Sequence, residues 1–91
     1  MTEQGATSRK LVLYGAPDCH LCHEAMATLR RVQRLVPIEI VEVNIREDPD
    51  LAERFGLVIP VIEVGGRVIA QSKVTEFRLL RHLHAILGSN R

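Results

Sequence analysis

The chain has 91 residues, enough for one small domain with a single core and too short for several. Lys and Arg number 12 against 11 Asp and Glu, a net charge of +1, which excludes the basic footprint of a nucleic-acid binder or of a protein held on an anionic membrane. With no Trp, one Tyr and two Phe, the core must be aliphatic.

Residues 1–9 are polar and read as a flexible tail ahead of one domain at 10–88. The tail lacks the apolar stretch of an export signal. No apolar run in the chain approaches the ~20 residues that span a bilayer. The expected compartment is therefore cytoplasmic, with no membrane and no nucleic acid as partner, and the domain is expected to act as a monomer.

Lys10–Tyr14 carries the continuous apolar run Leu11-Val12-Leu13, the pattern of a strand buried on both faces. Gly15-Ala16-Pro17-Asp18 forms a loop suited to entering a helix. From Cys19 to Leu35 the apolar residues Cys22, Met26, Leu29 and Val32, with Val36 beyond, recur at spacings of three and four. Arg30, Arg31 and Arg34 take the other side, and Pro37 ends the helix. Ile38–Asn44 alternates and holds four β-branched residues, a strand. Asp48-Pro49 is an N-cap followed by proline at the first helical position, and Gly56 stops that short helix. Val58–Val64 and Arg67–Ala70, joined by Gly65-Gly66, read as a β-hairpin. A last helix from about Val74 to Leu87, capped by Ser72 or Thr75, places Phe77, Leu80, Leu83 and Leu87 on its buried stripe.

The order is β-α-β-α-β-β-α. The first β-α-β unit implies a parallel strand pair with a right-handed crossover, and the hairpin adds an antiparallel pair. The expected fold is α/β, a mixed four-stranded sheet with helices on both faces.

The chemistry concentrates in Cys19-His20-Leu21-Cys22. Two cysteines three positions apart close too short a loop to serve as a structural staple. In a reducing compartment such a pair is redox-active or metal-binding. Cys19 falls where the first strand hands over to the first helix. Unpaired N–H groups and the helix dipole stabilise a thiolate there and lower the thiol pKa below its free value of about 8.5. Thiolate is the nucleophile of disulfide exchange. Cys22, one turn on and further inside, is placed to resolve a mixed disulfide formed at Cys19. His20, if protonated, favours the Cys19 thiolate, whereas the carboxylate of Asp18 opposes it.

Residues 19–23 also spell the haem-attachment pattern C-x-x-C-H, but haem attachment requires export, and His23 is expected on the exposed side of the helix. A zinc site would need four ligands, and His82 and His84 belong to the last helix. No metal site is therefore assigned; metal binding or delivery through the same cysteines stands as the alternative function. An interaction module using the apolar Val58–Val61 segment is a third reading. Ile59-Pro60 is the second marker, because proline at a strand start deletes a ladder donor. A trans bond there is ordinary; a cis bond would leave the Ile59 backbone free to bind an extended partner.

Leu11-Val12-Leu13-Tyr14, Pro17-Asp18-Cys19-His20-Leu21-Cys22, Val58-Ile59-Pro60-Val61 and Gly65-Gly66-Arg67 together resemble the thioredoxin superfamily, and within it the short glutaredoxin-like proteins with a C-x-L-C dithiol. The resemblance covers about residues 10–87. It implies the sheet order 2-1-3-4 with the third strand antiparallel to its neighbours. It implies Cys19 as exposed nucleophile, Cys22 as resolving thiol and Pro60 as a cis-proline. His20 and Leu21, within the dithiol, and Ile59 and Pro60, opposite it, are then the candidate substrate-binding residues. The expected activity is that of a thiol–disulfide oxidoreductase acting on protein disulfides or glutathione-mixed disulfides, with a reductase or glutathione as electron source. No resident cofactor is expected. The dipeptide His20-Leu21 departs from the Pro-Tyr of typical glutaredoxins. Ala70-Gln71-Ser72-Lys73 stands where those proteins carry a Gly-Gly-Cys/Ser-Asp segment that helps hold glutathione, so glutathione enters only as a candidate co-substrate.

Overall fold

A computed structural model describes residues 9–88, with side chains through residue 85. In chain order it contains β1 (Arg9–Gly15), α1 (His20–Gln33), β2 (Ile38–Asn44), a 3-10 turn (Ile45–Glu47), α2 (Pro49–Phe55), β3 (Val61–Val64), β4 (Arg67–Gln71) and α3 (Glu76–Gly88). The strands form one sheet in the order β2-β1-β3-β4. β1 runs parallel to β2 and antiparallel to β3, and β3 runs antiparallel to β4. The mixed four-stranded α/β architecture read from the sequence is the architecture found.

Alternation along the strands assigns the two faces. Leu11 and Leu13 of β1 lie opposite Val64 and Ile62 of β3, and all four are buried. Ala25, Leu29 and Val32 of α1 and Leu79 and Leu83 of α3 close over this face and complete the core. Tyr14 points to the opposite face, where Phe55 of α2 meets it with ring centroids 4.9 Å apart. The Tyr14 hydroxyl donates to Glu63 Oε1 at 2.9 Å. Among the described residues only the short α2 lies over this second face, and Val12 and Tyr14 are half-buried. The uniformly apolar run of β1 suggested burial on both sides; it is complete on one side only.

Local chemistry sets the element ends. Asp48 Oδ1 accepts from Asp50 N–H at 3.0 Å and from Leu51 N–H at 3.4 Å, capping α2. Gly65 and Gly66 both have positive φ, 60° and 80°, as a two-residue hairpin turn requires.

Four expectations are corrected. Arg9, assigned to the tail, is the first residue of β1, and its N–H donates to Pro37 O at 3.0 Å; residues 1–8 lie outside the described residues. β3 starts at Val61 and not at Val58, because Pro60 has no N–H and Val58 turns back to donate to Phe55 O at 2.9 Å. α3 starts at Glu76, with Thr75 Oγ1 accepting from Arg78 N–H at 3.2 Å as its cap. Phe77 is 72% exposed, while Leu79 and Leu83 carry the buried stripe with Leu80 at its margin. Both stripes satisfy helical spacing, and only the docked position of α3 selects between them; the Leu87 side chain lies outside the described residues. Among the described residues no helix is long and apolar enough to cross a membrane.

Candidate functional site

The parallel register of β1 and β2 brings Gly15 level with Asn44. Both strands therefore deliver their following loops to the same end of the sheet. β3 runs the other way, and its first residue Val61 lies across from Tyr14. The segment entering β3, Ile59-Pro60, thus arrives at that same end. The sequence-predicted residues of the dithiol and the proline marker are brought to one end of one sheet.

Cys19 is the N-cap of α1, with extended backbone (φ −103°, ψ 111°). Its Sγ accepts the N–H of Cys22 at 3.1 Å, so the sulfur occupies the acceptor position that a serine or aspartate oxygen usually fills. Cys19 and Cys22 are joined as a disulfide, with Cα atoms 5.2 Å apart. The two sulfurs differ in access. Cys19 is half-buried at the helix tip, whereas Cys22 is 5% exposed and faces the core side of α1. Gly15 lies behind Cys22: a Cβ at position 15 would sit 3.0 Å from the Cys22 sulfur.

The intervening residues point outward. His20 is exposed, and its Nε2 pairs with Glu24 Oε2 at 2.8 Å one turn on. Leu21 is a large apolar side chain left exposed beside the dithiol. Asp18, just ahead of Cys19, does not stand alone. Arg46 of the 3-10 turn donates from Nε to Oδ1 at 2.9 Å and from Nη2 to Oδ2 at 2.8 Å. This fork holds the Asp18 carboxyl below the usual carboxylate range.

The Ile59–Pro60 bond is cis, Pro60 is buried and Ile59 half-buried. Ser72, at the end of β4, takes φ 65° and donates its one N–H to both Val58 O (3.0 Å) and Pro60 O (2.8 Å). The carbonyls on either side of Ile59 are thereby tied down. Among the described residues, neither the N–H nor the carbonyl of Ile59 takes part in a backbone hydrogen bond. The site therefore presents a half-buried sulfur at a helix tip, a buried sulfur behind it and, at the same sheet end, the unpaired backbone of Ile59.

His23, His82 and His84 are exposed. Among the described residues, no group of three or more His, Cys, Asp or Glu is arranged to hold a metal ion. A cleft on the outer side of α3, bordered by Thr75, Phe77, Arg78 and His82, includes no residue of the dithiol.

Sequence reasoning missed three residues of this site. Arg46 carries no signal, because its partner lies 28 positions away. Ser72 gives none either, since a serine at positive φ is not written in local composition. Gly15 was legible only as loop chemistry, although a glycine closing a strand ahead of a cysteine pair is the place where close packing on the second sulfur would be expected.

Over residues 10–84 the sequence matches the family described as Glutaredoxin-like domain (DUF836). Among solved structures the chain is similar to protein XcR50 from X. campestris, at 33% identity and TM-score 0.72 over 82% of this chain and 96% of that one. It is similar to protein Ne2328 from Nitrosomonas europaea, at 28% identity and TM-score 0.72 over 81% and 89% of the two chains. A malaria parasite thioredoxin-2 shares the fold, with 16% identity and TM-score 0.64 over 86% and 82%. No curated protein matches the chain at a significant level. With its β-α-β-α-β-β-α architecture, shared with thioredoxin-2, and its Cys19–Cys22 pair at the tip of α1, the chain belongs to the glutaredoxin-like domain (DUF836) family.

Proposed function

We propose that the protein is a thiol–disulfide oxidoreductase that works by dithiol exchange, with Cys19 as nucleophile and Cys22 as resolving thiol. The observation that carries this reading is the asymmetry of the two sulfurs: Cys19 caps the helix and accepts an N–H, and Cys22 is buried one turn behind within bonding reach. A helix N-terminus favours the Cys19 thiolate over the thiol.

In the reduced protein the Cys19 thiolate attacks one sulfur of a substrate disulfide. A Cys19–substrate bond forms, the substrate S–S bond breaks, and the departing sulfur leaves as a thiolate that takes up a proton. Cys22 loses its proton and attacks the Cys19 sulfur. The Cys19–Cys22 disulfide forms and the second substrate thiolate leaves, so two electrons pass from the dithiol to the substrate. The cycle closes when glutathione or a reductase returns two electrons.

The substrates in this reading are protein disulfides or glutathione-mixed disulfides, met by His20, Leu21 and the Ile59-Pro60 segment. The free Ile59 backbone supports pairing with an extended peptide. Ser72 lies in the segment that departs from the glutathione-holding pattern, and its N–H is already spent on Val58 and Pro60, which favours protein substrates over tightly held glutathione. No resident cofactor is needed, and a monomer in the reducing cytoplasm suffices.

The test is equilibration of the purified protein with glutathione redox buffers, read by thiol count and mass. A reversible two-electron Cys19–Cys22 couple is expected. Cys19→Ser should abolish reduction of a model protein disulfide, and Cys22→Ser should accumulate the mixed disulfide at Cys19. Two thiols that never cycle, or a Cys19→Ser variant with full activity, would remove the proposal.

A further inference from the structure

We propose that Arg46 is a positioning residue for the dithiol: it cancels the charge of the Asp18 carboxylate beside the sulfur on which a thiolate must form. This rests on the reading of Cys19 as the nucleophile. Asp18 immediately precedes Cys19 in the loop, and a carboxylate there opposes an adjacent thiolate by like-charge repulsion. Both carboxylate oxygens are taken by the Arg46 guanidinium, at 2.9 and 2.8 Å. A planar fork on a carboxylate is the geometry that arginine provides and lysine does not.

The fold dictates the meeting. Gly15 and Asn44 are level at the ends of parallel strands. Asp18 follows three residues after one, and Arg46 two after the other. Arg46 is itself held in place, since its N–H donates to Asn44 Oδ1 at 3.0 Å, the cap of the 3-10 turn. Among the described residues, the other ionisable groups around the dithiol loop are His20 with its partner Glu24, His23 on α1, Glu42 of β2 and Glu47 beside Arg46. The Leu57–Pro60 segment contributes none. Arg46 is thus a cation held in place at this end of the sheet, and it is bound to the one carboxylate adjacent in sequence to Cys19.

Both side chains are more than half exposed, so solvent and salt screen the effect. Its expected size is about threefold in the thiolate fraction at neutral pH and low salt.

The test uses fully reduced wild-type protein, Arg46→Gln, Asp18→Asn and the double variant. Alkylation of Cys19 is followed against pH by peptide mass, at low ionic strength and in 1 M salt. Arg46→Gln should shift the Cys19 titration upward and slow alkylation at pH 7 about threefold, with the difference shrinking in high salt. Asp18→Asn in the Arg46→Gln background should return the rate to wild type or above. A purely structural anchor would leave the double variant as slow as Arg46→Gln, which overturns the proposal, as would an Arg46→Gln rate equal to wild type. If wild-type Cys19 itself titrates no lower than a free thiol, the nucleophile reading fails, and that result is read independently of Arg46.

Discussion

Gly15 leaves open the space that the Cys22 sulfur fills. A methyl group at position 15 would stand 3.0 Å from Cys22 Sγ and 3.1 Å from Cys22 Cβ, closer than packed carbon and sulfur tolerate without movement. The last residue of β1 therefore sets how far the resolving cysteine can withdraw behind the nucleophile. Gly15→Ala should cost about 1–3 kcal/mol in urea unfolding by overpacking. It should also slow closure of the Cys19–Cys22 disulfide from a mixed disulfide. An alanine variant with wild-type stability and wild-type closure would show that the neighbourhood yields freely.

The clamp at Ser72 makes a second prediction. Its N–H serves two carbonyls, and its φ of 65° is one that a non-glycine residue adopts at a cost. Ser72→Gly keeps the N–H and removes the steric cost, while the loss of the long 3.4 Å hydroxyl bond to Val58 O and the added freedom of the unfolded chain offset the gain, so stability should change by less than about 1 kcal/mol. Ser72→Pro removes the N–H and forces φ to about −65°, and should destabilise by roughly 3 kcal/mol or more. Denaturant unfolding of the two variants checks this; equal stability of the two would mean that the clamp holds nothing.

Tyr14 is the one tyrosine of a chain without Trp, so its ionisation is read cleanly by ultraviolet absorbance. Burial first, then the hydrogen bond to Glu63 and the charge of Glu63, raise its pKa above the ordinary value of 10.0. A neutral group whose pKa is raised by folding gives stability that is fully present below the unfolded pKa. That stability is lost as pH rises through the folded value. The phenolate of the folded protein should thus appear above pH 10, with stability declining across that window. Glu63→Gln, which removes the charge and keeps an acceptor, should move the midpoint back toward 10. A folded-state midpoint at or below 10 in the wild type would contradict the Tyr14–Glu63 arrangement.

The order of elements, the hairpin turn, the α2 cap and the placement of Cys19 at a strand-to-helix junction were all legible in the sequence. They rest on local chemistry: Asp48-Pro49, Gly65-Gly66, and a period that changes from two to three or four within a few residues. Resemblance to glutaredoxin-like proteins supplied the sheet order, which no local signal carries. The phase of α3 shows where local reasoning ends. Phe77 and Leu80 satisfy helical spacing as well as Leu79 and Leu83 do, and only the sheet against which the helix docks decides which stripe is buried.

The Cys19-His20-Leu21-Cys22 pair was determined by the sequence alone, because two cysteines at that spacing beside a helix start need nothing distant to be recognised. Its surroundings were decided by tertiary structure. Arg46 on Asp18, Ser72 on the carbonyls of Val58 and Pro60, and Gly15 against Cys22 join positions that strand register makes neighbours. A hydrogen bond or a close approach between such positions depends on where separate strands end in space, and a linear pattern of residue types does not contain that distance.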